Sequence, residues 1–140
     1  MTRYVLDASV AVKWFAPEVL TEQAELLRTH DVLAVDHILI EVASALLHKG
    51  RSGLCEGVRF AEDLAVLETS IELHDGRAVV GAAFQLASAH ETSLFDSLYL
   101  ALALREDCAL VTADRRFFEA TRDDYQGVVP WLGDVTGDSL

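Results

Sequence analysis

Basic residues are scarce in this 140-residue chain: 11 Lys and Arg stand against 23 Asp and Glu, a formal charge of −12. That balance excludes a passive nucleic-acid binder, which carries a basic face. It leaves a basic partner, a polyanion drawn in by bound metal, or acids that solubilise the surface. Cysteine is also scarce. Cys55 and Cys108 form no Cys-x-x-Cys pair, and the histidines at 30, 37, 48, 74 and 90 are not at zinc-ligand spacing. A disulfide framework and a zinc site are therefore excluded, and both thiols are expected to be reduced and partly buried. Long apolar runs are lacking, so no membrane span is expected. The first acid, Asp7, comes too early for a signal peptide. The expected location is the cytoplasm. Repeats and low-complexity segments are absent.

What is present is apolar content, 51% of the residues, enough to build one domain with its own core. Short β-type runs alternate with longer helical ones. Residues 4–6, 32–35 and 109–112 read as strands buried on both faces, and residues 70–73 alternate as a further strand. Residues 127–130 suggest a final edge strand, because Pro130 cannot donate to a ladder. Helices are expected over residues 9–16 (stopped by Pro17), 22–30, 37–49 (capped by Asp36 and ended at Gly50), 54–68, 77–89, 95–106 and 114–120. Strands separated by helices imply a three-layer α/β/α domain with a central, mostly parallel sheet of four to five strands. The domain is expected over residues 1–132, followed by an acidic, frayed tail over 133–140.

Ligands in such sheets bind beyond the carboxyl ends of the strands. Asp7 directly follows the first strand, and Asp114 lies two residues past Thr112. Each also precedes a helix and reads equally as a cap. Asp96 opens a helix that is apolar nearly all round and hence buried, which places an acid at the mouth of the core. There, too, a favourable interaction with the helix dipole is the competing account. Glu41 lies inside Ile38-Leu39-Ile40-Glu41-Val42-Ala43-Ser44-Ala45-Leu46-Leu47, with no capping role. No basic residue is expected within one turn on its face, and Lys49 is two turns away. A buried carboxylate needs a cation or a proton, and bound metal is the economical partner. Converging oxygen ligands without a His or Cys set favour Mg²⁺ or Mn²⁺. Ions so held activate water and stabilise charge on phosphate.

Four motifs resemble those of the PIN-domain family, and the length and layout resemble its VapC-type toxins. They are Val5-Leu6-Asp7-Ala8-Ser9, Glu41-Val42-Ala43-Ser44-Ala45-Leu46, Phe95-Asp96-Ser97-Leu98-Tyr99-Leu100-Ala101-Leu102-Ala103, and Leu110-Val111-Thr112-Ala113-Asp114-Arg115-Arg116-Phe117. In that order they cover almost the whole chain. The resemblance implies a metal-dependent endoribonuclease, often a homodimer, inhibited by a cognate antitoxin protein. By position it makes Asp7, Glu41, Asp96 and Asp114 the ligands of Mg²⁺ or Mn²⁺, and Ser9 and Thr112 the hydroxyls that orient carboxylate or water. Lys13, Arg115 and Arg116 adjoin the motifs as possible contacts to RNA phosphates, with ordinary solvated charge as the competing account. One departure is Ser44, where many members carry asparagine. The alternatives are a non-catalytic PIN-fold binding or regulatory module and a housekeeping RNA-processing nuclease. A receiver-like phosphoacceptor is disfavoured by the single acid after the first strand and the lack of a lysine beyond Lys49. An Asp-x-Asp phosphatase is disfavoured because Ser9 holds the place of the second acid.

Overall fold

A computed structural model describes residues 2–53, 60–125 and 127–137. Four strands, β1 (Arg3–Leu6), β2 (Asp31–Val35), β3 (Glu72–His74) and β4 (Ala109–Val111), form one sheet in the order β3-β2-β1-β4. Every pairing is parallel, with Val5 opposite both Leu33 and Leu110. The architecture is a three-layer α/β fold with seven helices among the described residues. Val5, Leu6, Ala34, Val35, Leu110 and Val111 are completely buried, which is why these strands read as unbroken apolar runs rather than alternating ones.

The chain moves outward from β1 to β2 and β3, then returns to the other side of β1 as β4. This reversal leaves a crevice beyond the carboxyl ends of β1 and β4, where open α/β sheets bind ligands. Helix α6 (Leu94–Arg105) packs on β1, β2 and β4 and against α5 (Val80–His90). Ser97 to Ala103 of α6 are all buried, and burying a leucine such as Leu102 contributes about 2 kcal/mol. Helix α3 (Ile38–Arg51) packs against α1 (Ala8–Ala11) and α4 (Phe60–Ser70). The remaining helices are α2 (Thr21–Leu27) and α7 (Arg115–Thr121).

Several local expectations are corrected. The segment at 127–130 is not a strand. Leu110 N donates to Val128 O at 2.7 Å and Thr112 N to Pro130 O at 3.3 Å, but the only isolated bridge among the described residues is Thr112 to Trp131. Gly127 turns the chain at φ +83° and Pro130 lacks an N–H, so a ladder cannot propagate. The first helix is short and tightens into a 3-10 turn at Val12–Trp14. Helix α3 runs through Gly50 to Arg51, and Gly53 takes the left-handed conformation instead. Asp36 does not cap α3; its carboxylate accepts from Gly76 N at 3.2 Å, and His37 holds the cap position. Ser70 ends α4, which shifts β3 to Glu72–His74. Part of the expected helix, residues 54–59, lies outside the described residues, as does Cys55. Cys108 is a free, partly buried thiol.

Among the described residues, the expected tail opens on a structured turn. Leu132–Asp134 form a 3-10 turn, and Leu132 and Val135 are buried. A Cβ on Gly133 would clash with the Trp131 indole at Nε1 and Cδ1. Gly133→Ala is therefore expected to displace the indole and cost about 1–3 kcal/mol, the usual result of overpacking. A urea midpoint equal to that of wild type would refute this.

Candidate functional site

Asp7 leaves β1 at the reversal point and is 3% exposed. Its carboxylate caps α1 through Val10 N at 3.3 Å, so the capping role is real. It also accepts short hydrogen bonds from the Ser9 and Thr112 hydroxyls, one on each oxygen. Both hydroxyls are themselves fixed: Ser9 Oγ accepts from Ala113 N at 2.9 Å and Thr112 Oγ1 from Asp114 N at 3.0 Å. The ends of β1 and β4 are thus stitched together through one carboxylate. Burial pushes the Asp7 carboxyl up to about 7, against the lowering effect of these donors, and the negative charge of Asp96 adds to the rise.

Asp114 caps α7, accepting from Phe117 N at 3.1 Å. Asp96 stands in the first turn of α6, where Ser93 is the cap and accepts from Asp96 N at 3.0 Å. Burial raises the Asp96 carboxyl, and the charges of Asp114 and Glu41 raise it further. Asp96 therefore senses Asp114 and Glu41, and Asp7 senses Asp96. Asp96 and Asp114 face a cavity of about 300 Å³ that is also lined by Glu91, Thr92, Ser93 and Arg116.

Glu41 has partners that the sequence did not reveal. The Tyr99 hydroxyl donates to Glu41 Oε1 at 2.6 Å, and His37 Nε2 lies 3.1 Å from the same oxygen. Burial pushes the Glu41 carboxyl up, but these two hydrogen bonds and the imidazole charge outweigh it and hold the group below the usual carboxylate range. The Tyr99 hydroxyl is driven far above its ordinary value by burial and by Glu41, so it remains a donor. His37 was legible as the residue four positions before Glu41, one turn along the same face. Tyr99 was legible as a phenol in a buried apolar helix, which needs a polar partner. The expectation of full burial for Glu41 is corrected: its side chain is 32% exposed, and neighbouring Ile40 is 73% exposed.

The three cations adjoining the motifs part ways. Lys13 is 7% exposed and donates to Glu18 at 2.8 Å, a carboxylate that Lys49 shares. Its ammonium is committed to the fold. Arg115 lies 4.1 Å over the Trp131 ring and 3.7 Å from Glu119. Arg116 lines the acid cavity. Ser44 is exposed on α3.

The arrangement suits a hard divalent cation. All four acids offer oxygen, the charges of Asp114 and Glu41 disfavour ionisation of Asp96 and that of Asp96 disfavours ionisation of Asp7, and the pair that lines the cavity adjoins open space. Among the described residues, no three Asp, Glu, His or Cys side chains form a ready-made cage.

The family model of the PIN domain matches residues 4–123. Ribonuclease VapC3 of Pyrobaculum aerophilum is 31% identical over 122 residues, which are 84% of this chain and 93% of that protein. Among solved structures, PAE2754 of Pyrobaculum aerophilum superposes with a TM-score of 0.68 at 19% identity, covering 94% of this chain and 85% of the other. A toxin–antitoxin complex from Klebsiella pneumoniae gives 0.61 at 14% identity, covering 91% and 95%. At these identities the two structures establish a shared fold.

Proposed function

The chain belongs to the PIN-domain family, and we propose that it is a VapC-type endoribonuclease, the toxin of a toxin–antitoxin pair, which hydrolyses RNA phosphodiester bonds. Asp7, Glu41, Asp96 and Asp114 hold the Mg²⁺ or Mn²⁺ ion. The observation that carries this reading is Asp96, a half-buried carboxylate raised by burial and by the charges of Asp114 and Glu41 at the reversal point of the sheet. Such a gathering of charge costs free energy in a resting fold, and a cation relieves it without protonating the acids.

When bound, a divalent ion supplies an activated water and offsets charge on phosphate. The chain does the rest. Ser9 and Thr112 orient Asp7 by donating one hydroxyl to each of its oxygens. Tyr99 and His37 hold Glu41. Arg116, on the rim of the acid cavity, receives a flanking phosphate. Lys13 has no part in that role, because Glu18 occupies it. The two partners are an antitoxin with a basic segment, which suits a charge of −12, and a second copy of the chain. Exposed Ile40 and Leu47 on α3, and Val80 and Phe84 on α5, offer apolar surface for them. RNA hydrolysis of this kind takes place in the cytoplasm.

The test is cleavage of a mixed cellular RNA pool by purified protein with Mg²⁺ or Mn²⁺, with EDTA and Asp96→Asn as controls. Discrete fragments that vanish in both controls are expected. A folded protein that neither cleaves nor binds Mn²⁺ would overturn the reading.

A further inference from the structure

Glu41 differs from the other acids in how it is held. Asp7 and Asp114 are tied to backbone N–H groups at helix starts. Glu41 sits within α3, on a longer side chain that is 32% exposed and next to the solvent-facing Ile40. Left alone, such a side chain samples several rotamers. Its own-helix neighbour His37 is a divided donor: His37 Nε2 lies 3.1 Å from Glu41 Oε1 and 3.0 Å from Phe95 O. The other ring nitrogen, Nδ1, is buried without a hydrogen-bond partner, so one N–H faces two acceptors. The Tyr99 hydroxyl is undivided. It donates to Glu41 at 2.6 Å from a ring that is 1% exposed and packed 4.4 Å from the His37 ring. Tyr99 also lies three residues after Asp96 on α6, on the same side of that helix.

We propose that Tyr99 is a positioning residue that locks the Glu41 carboxylate of α3 to the helix bearing Asp96, so that the two acids meet the ion in a fixed relation. This rests on the reading of Glu41 as one of the ion-holding acids. Tyr99 touches neither ion nor RNA; it acts through Glu41. The hydrogen bond spans two helices distant in sequence, so it sets the separation of the acids, which no bond within α3 can do.

The experiment measures Mn²⁺ affinity calorimetrically for the full-length wild type, Tyr99→Phe, Glu41→Gln and the double variant, alongside melting midpoints and RNA cleavage. Phenylalanine keeps the ring and its packing. Tyr99→Phe is expected to bind Mn²⁺ about 10-fold more weakly, the lower end of the usual loss when a partner of a metal ligand is removed. The kcat should fall with KM for RNA unchanged. In the Glu41→Gln background the same substitution should have no further effect, since the carboxylate it positions is gone. A Tyr99→Phe protein that binds Mn²⁺ as wild type does, while Glu41→Gln binds weakly, would overturn the proposal alone. Losses that multiply in the double variant would overturn it too, since Tyr99 would then act through the fold. Wild-type Mn²⁺ binding by Glu41→Gln would remove Glu41 from the site, and the role of Tyr99 with it.

Discussion

Asp7→Asn is expected to abolish metal-dependent RNA cleavage while leaving the metal-free protein at least as stable as wild type near pH 7.5. The two halves of this result have one cause. The Asp7 carboxylate is buried and pushed up to about 7, so its ionised form is what the fold resists and what a cation requires. Asparagine keeps the shape and removes the charge. Its side-chain carbonyl still accepts from Val10 N, which preserves the cap on α1. Its amide must donate where the second oxygen accepted, so the Thr112 hydroxyl has to turn. That is feasible because Thr112 Oγ1, which already accepts from Asp114 N, retains another lone pair. On the activity side, losing one anionic ligand removes roughly 4 kcal/mol of transition-state stabilisation, about 1,000-fold in rate. The check is kcat on an RNA fragment together with a urea midpoint on the same preparation. Near-wild-type cleavage by the variant would remove Asp7 from the mechanism, and a collapsed midpoint would mean that the loss reports a broken fold.

The strands and the acids at their ends were legible because both signals are local. Residues such as Val5, Leu6, Leu110 and Val111 are buried on both faces and so appear as unbroken apolar runs, and Asp7 and Thr112 follow them directly. The sheet order, which turns two strand ends into one crevice, follows from alternating elements only as a parallel sheet; that β4 returns beside β1 is a tertiary fact. The last strand failed for a related reason. Residues 127–130 have the composition of an edge, and they do run beside β4, but the positive φ of Gly127 and the missing N–H of Pro130 limit the pairing to isolated bonds. Glu41 was singled out for a partly wrong reason. Its apolar neighbours suggested full burial, yet Ile40 and Leu47 face outward. A pattern of apolar residues reports which residues can be buried, not which are. The Tyr99 contact joins residues 58 positions apart, beyond any periodicity. Lys13 shows the converse limit: adjacency to a motif in sequence says nothing about where an ammonium points, and this one is buried against Glu18.

The stability of the metal-free protein is expected to fall as pH rises from about 4 to about 7, a trend opposite to ordinary acid denaturation. Asp7 sets the sign. Below its unfolded value of 3.8 the group is protonated in both states and contributes no difference. Between there and about 7 the unfolded chain releases the proton while the folded chain keeps it. The native state then binds more protons than the unfolded one, so unfolding becomes easier with each step in pH. At about 1.4 kcal/mol per pH unit over roughly three units, the loss approaches 4 kcal/mol. Asp96, also raised, acts in the same direction. Glu41 and Glu18, both lowered, act oppositely, and their contribution is lost as pH falls through the acid range. The clean measurement is therefore the difference in unfolding free energy between wild type and Asp7→Asn, in EDTA, at intervals from pH 4 to pH 8. Groups common to both proteins cancel, and the difference should move against wild type until about pH 7 and then level off. Saturating Mg²⁺ should reverse the trend, because an ion binds the deprotonated carboxylate and its affinity rises over the same interval. A difference that stays flat in EDTA would mean that the three donors on Asp7 fully offset its burial. The resting fold would then hold no strain for a cation to relieve at that residue.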